Sequence, residues 1–109
     1  MEKAMKDEIT KLIAAELEAA DKQYNPLFNS FHEAYAVLLE EVEEAHVEFD
    51  CILEEIEDIW ECIKSNEISS LRAGVVDLED KSLFLAYEVI QVCAMVKKFK
   101  RMWESGKRN

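Results

Sequence analysis

The stretch His32–Glu61, "HEAYAVLLEEVEEAHVEFDCILEEIEDIWE", holds twelve of the chain's 24 acidic residues and no lysine or arginine. Along it, Phe31, Tyr35, Leu38, Val42, Ala45, Phe49, Ile52, Ile56, Ile59 and Ile63 recur in alternating steps of four and three. That stepping is a heptad seam, and it commits the segment to one long amphipathic helix. "KSNEISS" (Lys64–Ser70) interrupts it. Leu71, Val75, Leu78, Ser82, Leu85, Val89, Val92, Val96, Phe99 and Trp103 then resume the same steps. Gly74 weakens the start of this second run, and Gly106 suits its stop. Two equal seams about a short polar link predict an antiparallel helical hairpin with arms 30–64 and 70–104, each ~50 Å long at 1.5 Å per residue.

Upstream, Met5, Ile9, Leu12, Ile13 and Leu17 share one face of a short helix expected over 2–22. "YNPLFNS" (Tyr24–Ser30) carries the only proline and breaks it. Ser30-Phe31-His32-Glu33 fits a capping box, so the long helix should begin there. With 109 residues, two glycines and one proline, the chain reads as a single all-α domain ending in a tail over 105–109. Two arms alone cannot bury two stripes of this width. The first helix and a second copy of the chain are expected to complete a bundle, as a homodimer or a dimer of dimers.

A net charge of −11 argues against a phosphate backbone as the main partner. Lys97, Lys98, Lys100, Arg101, Lys107 and Arg108 form a local exception, read as cations favouring a helix C-terminus and a solvated tail, with a polyanion contact as the alternative. Cys51, Cys62 and Cys93 lack C-x-x-C spacing, which argues against zinc. With no signal-peptide pattern they read as reduced thiols of a cytoplasmic protein. No apolar run approaches the ~20 residues of a membrane span.

The register places each acid. At 100° per residue, Glu41 lies about 100° to one side of seam residue Val42, Glu44 about 160° and Glu48 about 120°. On the second arm, Glu88 and Gln91 stand at about 100° and 160° to the same side of Val89. A fold point near residue 67 brings Glu44 level with Gln91 and Glu48 level with Glu88. Convergent carboxylates repel, and a hard divalent cation with oxygen ligands relieves that repulsion, which points to Mg²⁺ or Mn²⁺. A solvated acidic flank is the competing reading of the same pattern. Glu33, Glu40, Glu43 and Asp50 fall on other faces and read as surface, as do Glu54, Glu55, Glu57, Asp58 and Glu61 near the turn.

Glu40-Glu41-Val42-Glu43-Glu44, followed by Glu88-Val89-Ile90-Gln91, resembles the paired motifs of the MazG-like all-α nucleoside triphosphate pyrophosphatases: Glu-Glu-x-x-Glu, then Glu-x-x-Asp on a later helix. "HEAYAVLLEEVEEA" and "EVIQVCAM" are similar to a small branch of that superfamily common in bacteria and phages, over roughly residues 28–100. Gln91 stands where the family has aspartate, and the gap between motifs is longer than in compact members. The resemblance implies hydrolysis of a nucleoside or deoxynucleoside triphosphate to monophosphate and pyrophosphate. It implies Mg²⁺ on Glu41, Glu44, Glu88 and Gln91, with Glu40 and Glu41 as catalytic groups. On the helical wheel Glu40 points away from its own hairpin, so it can serve only beside another helix or subunit.

His32, His46, Trp60 and Trp103 read as packed or surface residues, and Tyr35 and Tyr87 as aromatics near the acids. A non-catalytic helical interaction protein, of the kind phages carry, is the alternative from a different class.

Overall fold

A computed structural model describes residues 2–106, so Lys107 and Arg108 of the basic cluster lie outside the described residues. Three helices run in order: α1 (Lys3–Gln23), α2 (Phe31–Lys64) and α3 (Ile68–Glu104). There is no strand among the described residues, and the all-α expectation holds. The molecule is a rod of 60 × 31 × 25 Å, with α2 and α3 forming its long hairpin.

Local chemistry sets the helix ends. The Ser30 hydroxyl accepts the Glu33 backbone N–H at 3.1 Å, the first half of the expected capping box. The second half lands one residue earlier than expected. Glu33 takes the Asn29 backbone N–H at 3.1 Å and the Asn29 side-chain amide at 3.0 Å. At the far end the chain reverses over 65–67, with Asn66 in the left-handed region at φ 57°, a conformation asparagine tolerates. Helix α3 therefore begins at Ile68, ahead of the expected residue 70. Gly74 sits where the arms come close: a Cβ there would stand 3.2 Å from Ile59 Cγ1. At the other end of α3, Gly106 at φ 78° donates its N–H to the Trp103 carbonyl and terminates the helix.

The main core lies where α2 begins and α3 ends. Phe28, Ala34 and Met102 are buried, with Phe31, Val37, Met95 and Phe99 packed around them. Phe31, Phe99 and Trp103 stack with ring centroids 5.2–6.1 Å apart. Helix α1 packs on α3 rather than on α2, where Ile13 is buried; Met5 and Leu12 remain exposed. The loop to α2 is tied down by Arg101, which donates to Asp21 and to the Pro26 carbonyl, both at 2.9 Å.

The hairpin seam differs from the expected one. Leu38, Ala45, Ile52 and Ile59 face inward, but Val42, Phe49, Ile56 and Ile63 stay about half exposed. Inward positions between them go to Glu41, Glu48 and Glu55. On α3, Gly74, Lys81, Glu88 and Met102 likewise take the inner positions, leaving Val75, Val89, Val96 and Trp103 open. The reason is geometric. Two helices touch along a narrow strip, and an apolar stripe built for more than one neighbour turns only one edge toward the other arm. Its second edge faces outward on both arms.

Candidate functional site

Turning the acidic flank inward builds the site. Glu41 and Glu44 stand one turn apart on α2, and Glu88 faces them from α3. One carboxylate oxygen from each lies within 4.8 Å of the others. Across the hairpin Glu88 meets Glu44 and also feels the charge of Glu48, so it faces both acids rather than Glu48 alone.

Burial makes this cluster costly in the absence of a counter-charge. Glu88 is 7% exposed, and Glu41 is half-buried. One carboxylate oxygen of each, Oε2 in both cases, is enclosed with no hydrogen-bond donor reaching it among the described residues. Burial pushes the Glu41 carboxyl above its ordinary value, and Glu44, Glu88 and Glu40 push it further. Burial raises Glu88 as well, followed by Glu44 and Glu48. A native fold rarely keeps two orphaned carboxylate oxygens side by side, because each costs roughly 1–3 kcal/mol or more unpaired. The donor set of three hard oxygens in one small volume fits a divalent cation of the Mg²⁺ or Mn²⁺ type.

Of the three acids, Glu41 also lines a groove of about 840 Å³ bounded by α1, the 24–28 loop, α2 and α3; Glu44 and Glu88 are not part of its lining. Glu40 is exposed and lines this groove together with Glu41, while α1 contributes Glu16, Ala19, Ala20 and Gln23. Helix α1 packs on α3 and not on α2, so it meets Glu40 only across this groove. Gln91 is half-buried in the groove wall, and its amide nitrogen donates to the Tyr87 hydroxyl at 2.8 Å. Tyr24, Phe28 and Tyr87 supply aromatic surface there, whereas Tyr35 stands exposed and does not line it.

The remaining candidates lie elsewhere. His46 is exposed and pairs with Asp50 at 3.7 Å, and His32 is exposed at the start of α2. Of the basic cluster, Lys98 is buried and Arg101 is engaged by Asp21, so neither joins a solvated basic face. The burial of Lys98 was not foreseeable from periodicity. It depends on Phe28, a loop residue whose placement no helical period reports.

Comparison with known proteins returns no matching family model, no matching curated protein and no matching solved structure.

Proposed function

We propose that this chain is a metal-dependent nucleotide pyrophosphohydrolase, converting a nucleoside or deoxynucleoside triphosphate to its monophosphate and pyrophosphate. One observation carries the reading: Glu41, Glu44 and Glu88 converge with two enclosed oxygens that no donor reaches among the described residues, and Glu41 joins them to a groove of nucleotide size. These three carboxylates would hold Mg²⁺ or Mn²⁺. When bound, such an ion neutralises phosphate charge and lowers the pKa of water. Glu40, on the groove wall beside Glu41, takes the proton of the attacking water as the bond between the α- and β-phosphates breaks. Gln91, held by its hydrogen bond to Tyr87, lines the same groove as Glu40 and Glu41. A cytoplasmic setting suits this chemistry, since the three cysteines are free thiols.

Pyrophosphate release from a panel of nucleoside and deoxynucleoside triphosphates tests the reading, with Mg²⁺, Mn²⁺ or EDTA present. Release that requires metal and falls at least a hundredfold in Glu88→Gln is expected. Silence across the panel from folded protein would leave a helical interaction protein.

That second reading draws on a different observation, the outward apolar edge of the hairpin. Val42, Phe49, Ile56, Ile63, Val75, Val89, Val96 and Trp103 are about half exposed, and none of them lines the groove. We take this face to be where a second copy packs, in a homodimer or a dimer of dimers. It leaves the groove open, so assembly and hydrolysis are compatible.

A further inference from the structure

The outward apolar edge lies on one face of the hairpin. On α2, Val42 follows the inward Glu41 by one 100° step, and on α3 Val89 follows the inward Glu88 by the same step. The arms run antiparallel and face each other, so an equal step in an equal sense brings both residues to the same face. Charge divides that face unevenly. Helix α2 carries twelve acids, with Lys64 its only lysine or arginine, whereas α3 carries six cations and five acids. Three of those six cations are engaged within the chain: Lys81 stands beside Glu55, Lys98 is buried, and Arg101 holds Asp21. Arg72, Lys97 and Lys100 are exposed.

Two aligned hairpins that share such a face by two-fold symmetry can meet in two ways. With the axis across the rod, the turns lie at opposite ends, α2 covers the partner's α2, and α3 covers the partner's α3. That sets twelve acids against twelve, and it brings Arg72 over the end of α3 that carries Lys97 and Lys100. With the axis along the rod, the turns lie together and each α2 covers the partner's α3. Contacts within the hairpin fix the levels: Gly74 stands against Ile59, and Lys81 beside Glu55. Arg72 is therefore level with Glu61, one turn from Glu57. An axis along the rod preserves these levels, so Arg72 stands over the partner's acidic run instead of over its cations.

Resting on the reading that a second copy covers the outward edge, we propose that the dimer is parallel: both turns lie at the same end, and each acidic α2 packs over the α3 of its partner. Apolar burial is alike in the two arrangements and supplies the affinity. The choice between them falls to charge, with Arg72, Lys97 and Lys100 set against the acids of the partner's α2. Both carboxylate clusters then stand at the same height on the rod, and the strip residues that pair line neither groove.

Spin labels read the direction. Cys51, Cys62 and Cys93 are replaced by alanine, and Ser69→Cys carries the label at the exposed start of α3. A parallel dimer places the two labels on the order of 30 Å apart, because packed helices stand only ~8–10 Å from one another. Labels separated by nearly the 60 Å length of the rod would overturn the proposal and leave the second-copy reading standing. Charge reversal gives an independent measure in the native sequence. Arg72→Glu should weaken the dimer about fivefold or more at low salt, read by sedimentation equilibrium, since it adds an acid opposite the partner's acidic run. Salt at about 0.5 M should shrink that difference. Arg72 is exposed, so its replacement leaves the fold intact. A dimer strengthened by Arg72→Glu is the antiparallel outcome, and an unchanged Kd at low salt removes the electrostatic choice; either result overturns the proposal. A wild type that sediments as a monomer fails the second-copy reading itself, and the parallel dimer with it.

Discussion

Glu41 and Glu88 each have an enclosed oxygen that no donor reaches among the described residues, and both carboxyls are raised, by burial first and by neighbouring glutamates second. The stability consequence has a definite sign. A carboxyl whose folded pKa exceeds its unfolded value costs nothing while protonated and destabilises the fold once it ionises. The metal-free protein should therefore lose stability as pH rises from the ordinary value of 4.5 through the raised ones. A cation reverses that loss, because it binds only the ionised cluster. Thermal melts with and without millimolar Mg²⁺ are expected to show a rise in Tm at about pH 7.5 and almost none at about pH 4.5. Glu88→Gln should raise the metal-free Tm at neutral pH by roughly 4–8 °C, equivalent to about 1 kcal/mol, and abolish the Mg²⁺ response. A Tm indifferent to Mg²⁺ at both pH values would mean the cluster holds no cation. Two of these acids were placed correctly by their angle from Val42, and the third by its angle from Val89, because helical rotation is fixed whatever the packing. The enclosure of their oxygens was not legible, since it depends on which edge of the apolar stripe turns inward.

At the level of the helices, the acids on the inner strip continue past the site. Glu55 reaches the inside of the hairpin with its side chain 11% exposed, and Lys81 on α3 stands 3.8 Å away. That distance permits ionic attraction but no hydrogen bond, and Glu55 Oε1 has no donor among the described residues. Sequence spacing assigned Glu55 to the surface because Ile52, Ile56 and Ile59 appeared to define the seam alone. The actual strip runs through Glu55 instead of Ile56, and heptad stepping cannot distinguish the two, since each lies within a turn of the same apolar residues. A pair of this kind does little for stability and much harm when half removed. Lys81→Met alone should destabilise the hairpin by about 1 kcal/mol, discounted for the partial exposure of the lysine. Adding Glu55→Leu should restore the loss and bring the double variant about 1–2 kcal/mol above wild type. Urea denaturation of the four proteins measures both terms, and a double variant weaker than either single one would contradict this account. The helix termini, by contrast, were readable to within two residues, because Ser30, Asn66 and Gly106 act through their own backbone geometry.

The whole molecule exposes 7908 Å² of surface, whereas a compact monomer of 12.6 kDa exposes about 6,200 Å². Part of the excess belongs to any rod, but its composition is informative. The outward edge carries Val42, Phe49, Ile56, Ile63, Val75, Val89, Val96 and Trp103, all between 45% and 57% exposed. A contiguous apolar strip along most of a 60 Å rod exceeds the few hundred Å² that a monomer ordinarily leaves open. Pairing two such faces builds a four-helix layer in which each stripe meets two neighbours, the arrangement that its width in the sequence anticipated. An ordinary specific interface removes about 800 Å² from each partner, comfortably within the excess. Sedimentation equilibrium at micromolar concentration is therefore expected to return at least twice the chain mass. Phe49 is exposed and does not line the groove; Phe49→Glu should shift the protein toward monomer, while Leu12→Glu on the exposed side of α1 should not. Because the hairpin has few fully buried residues away from its Phe28–Met102 end, the Phe49→Glu monomer should also melt several degrees lower, and its Tm should no longer rise with protein concentration. A wild-type chain that sediments as a monomer, with a Tm independent of concentration, would mean that this strip is covered by a different protein.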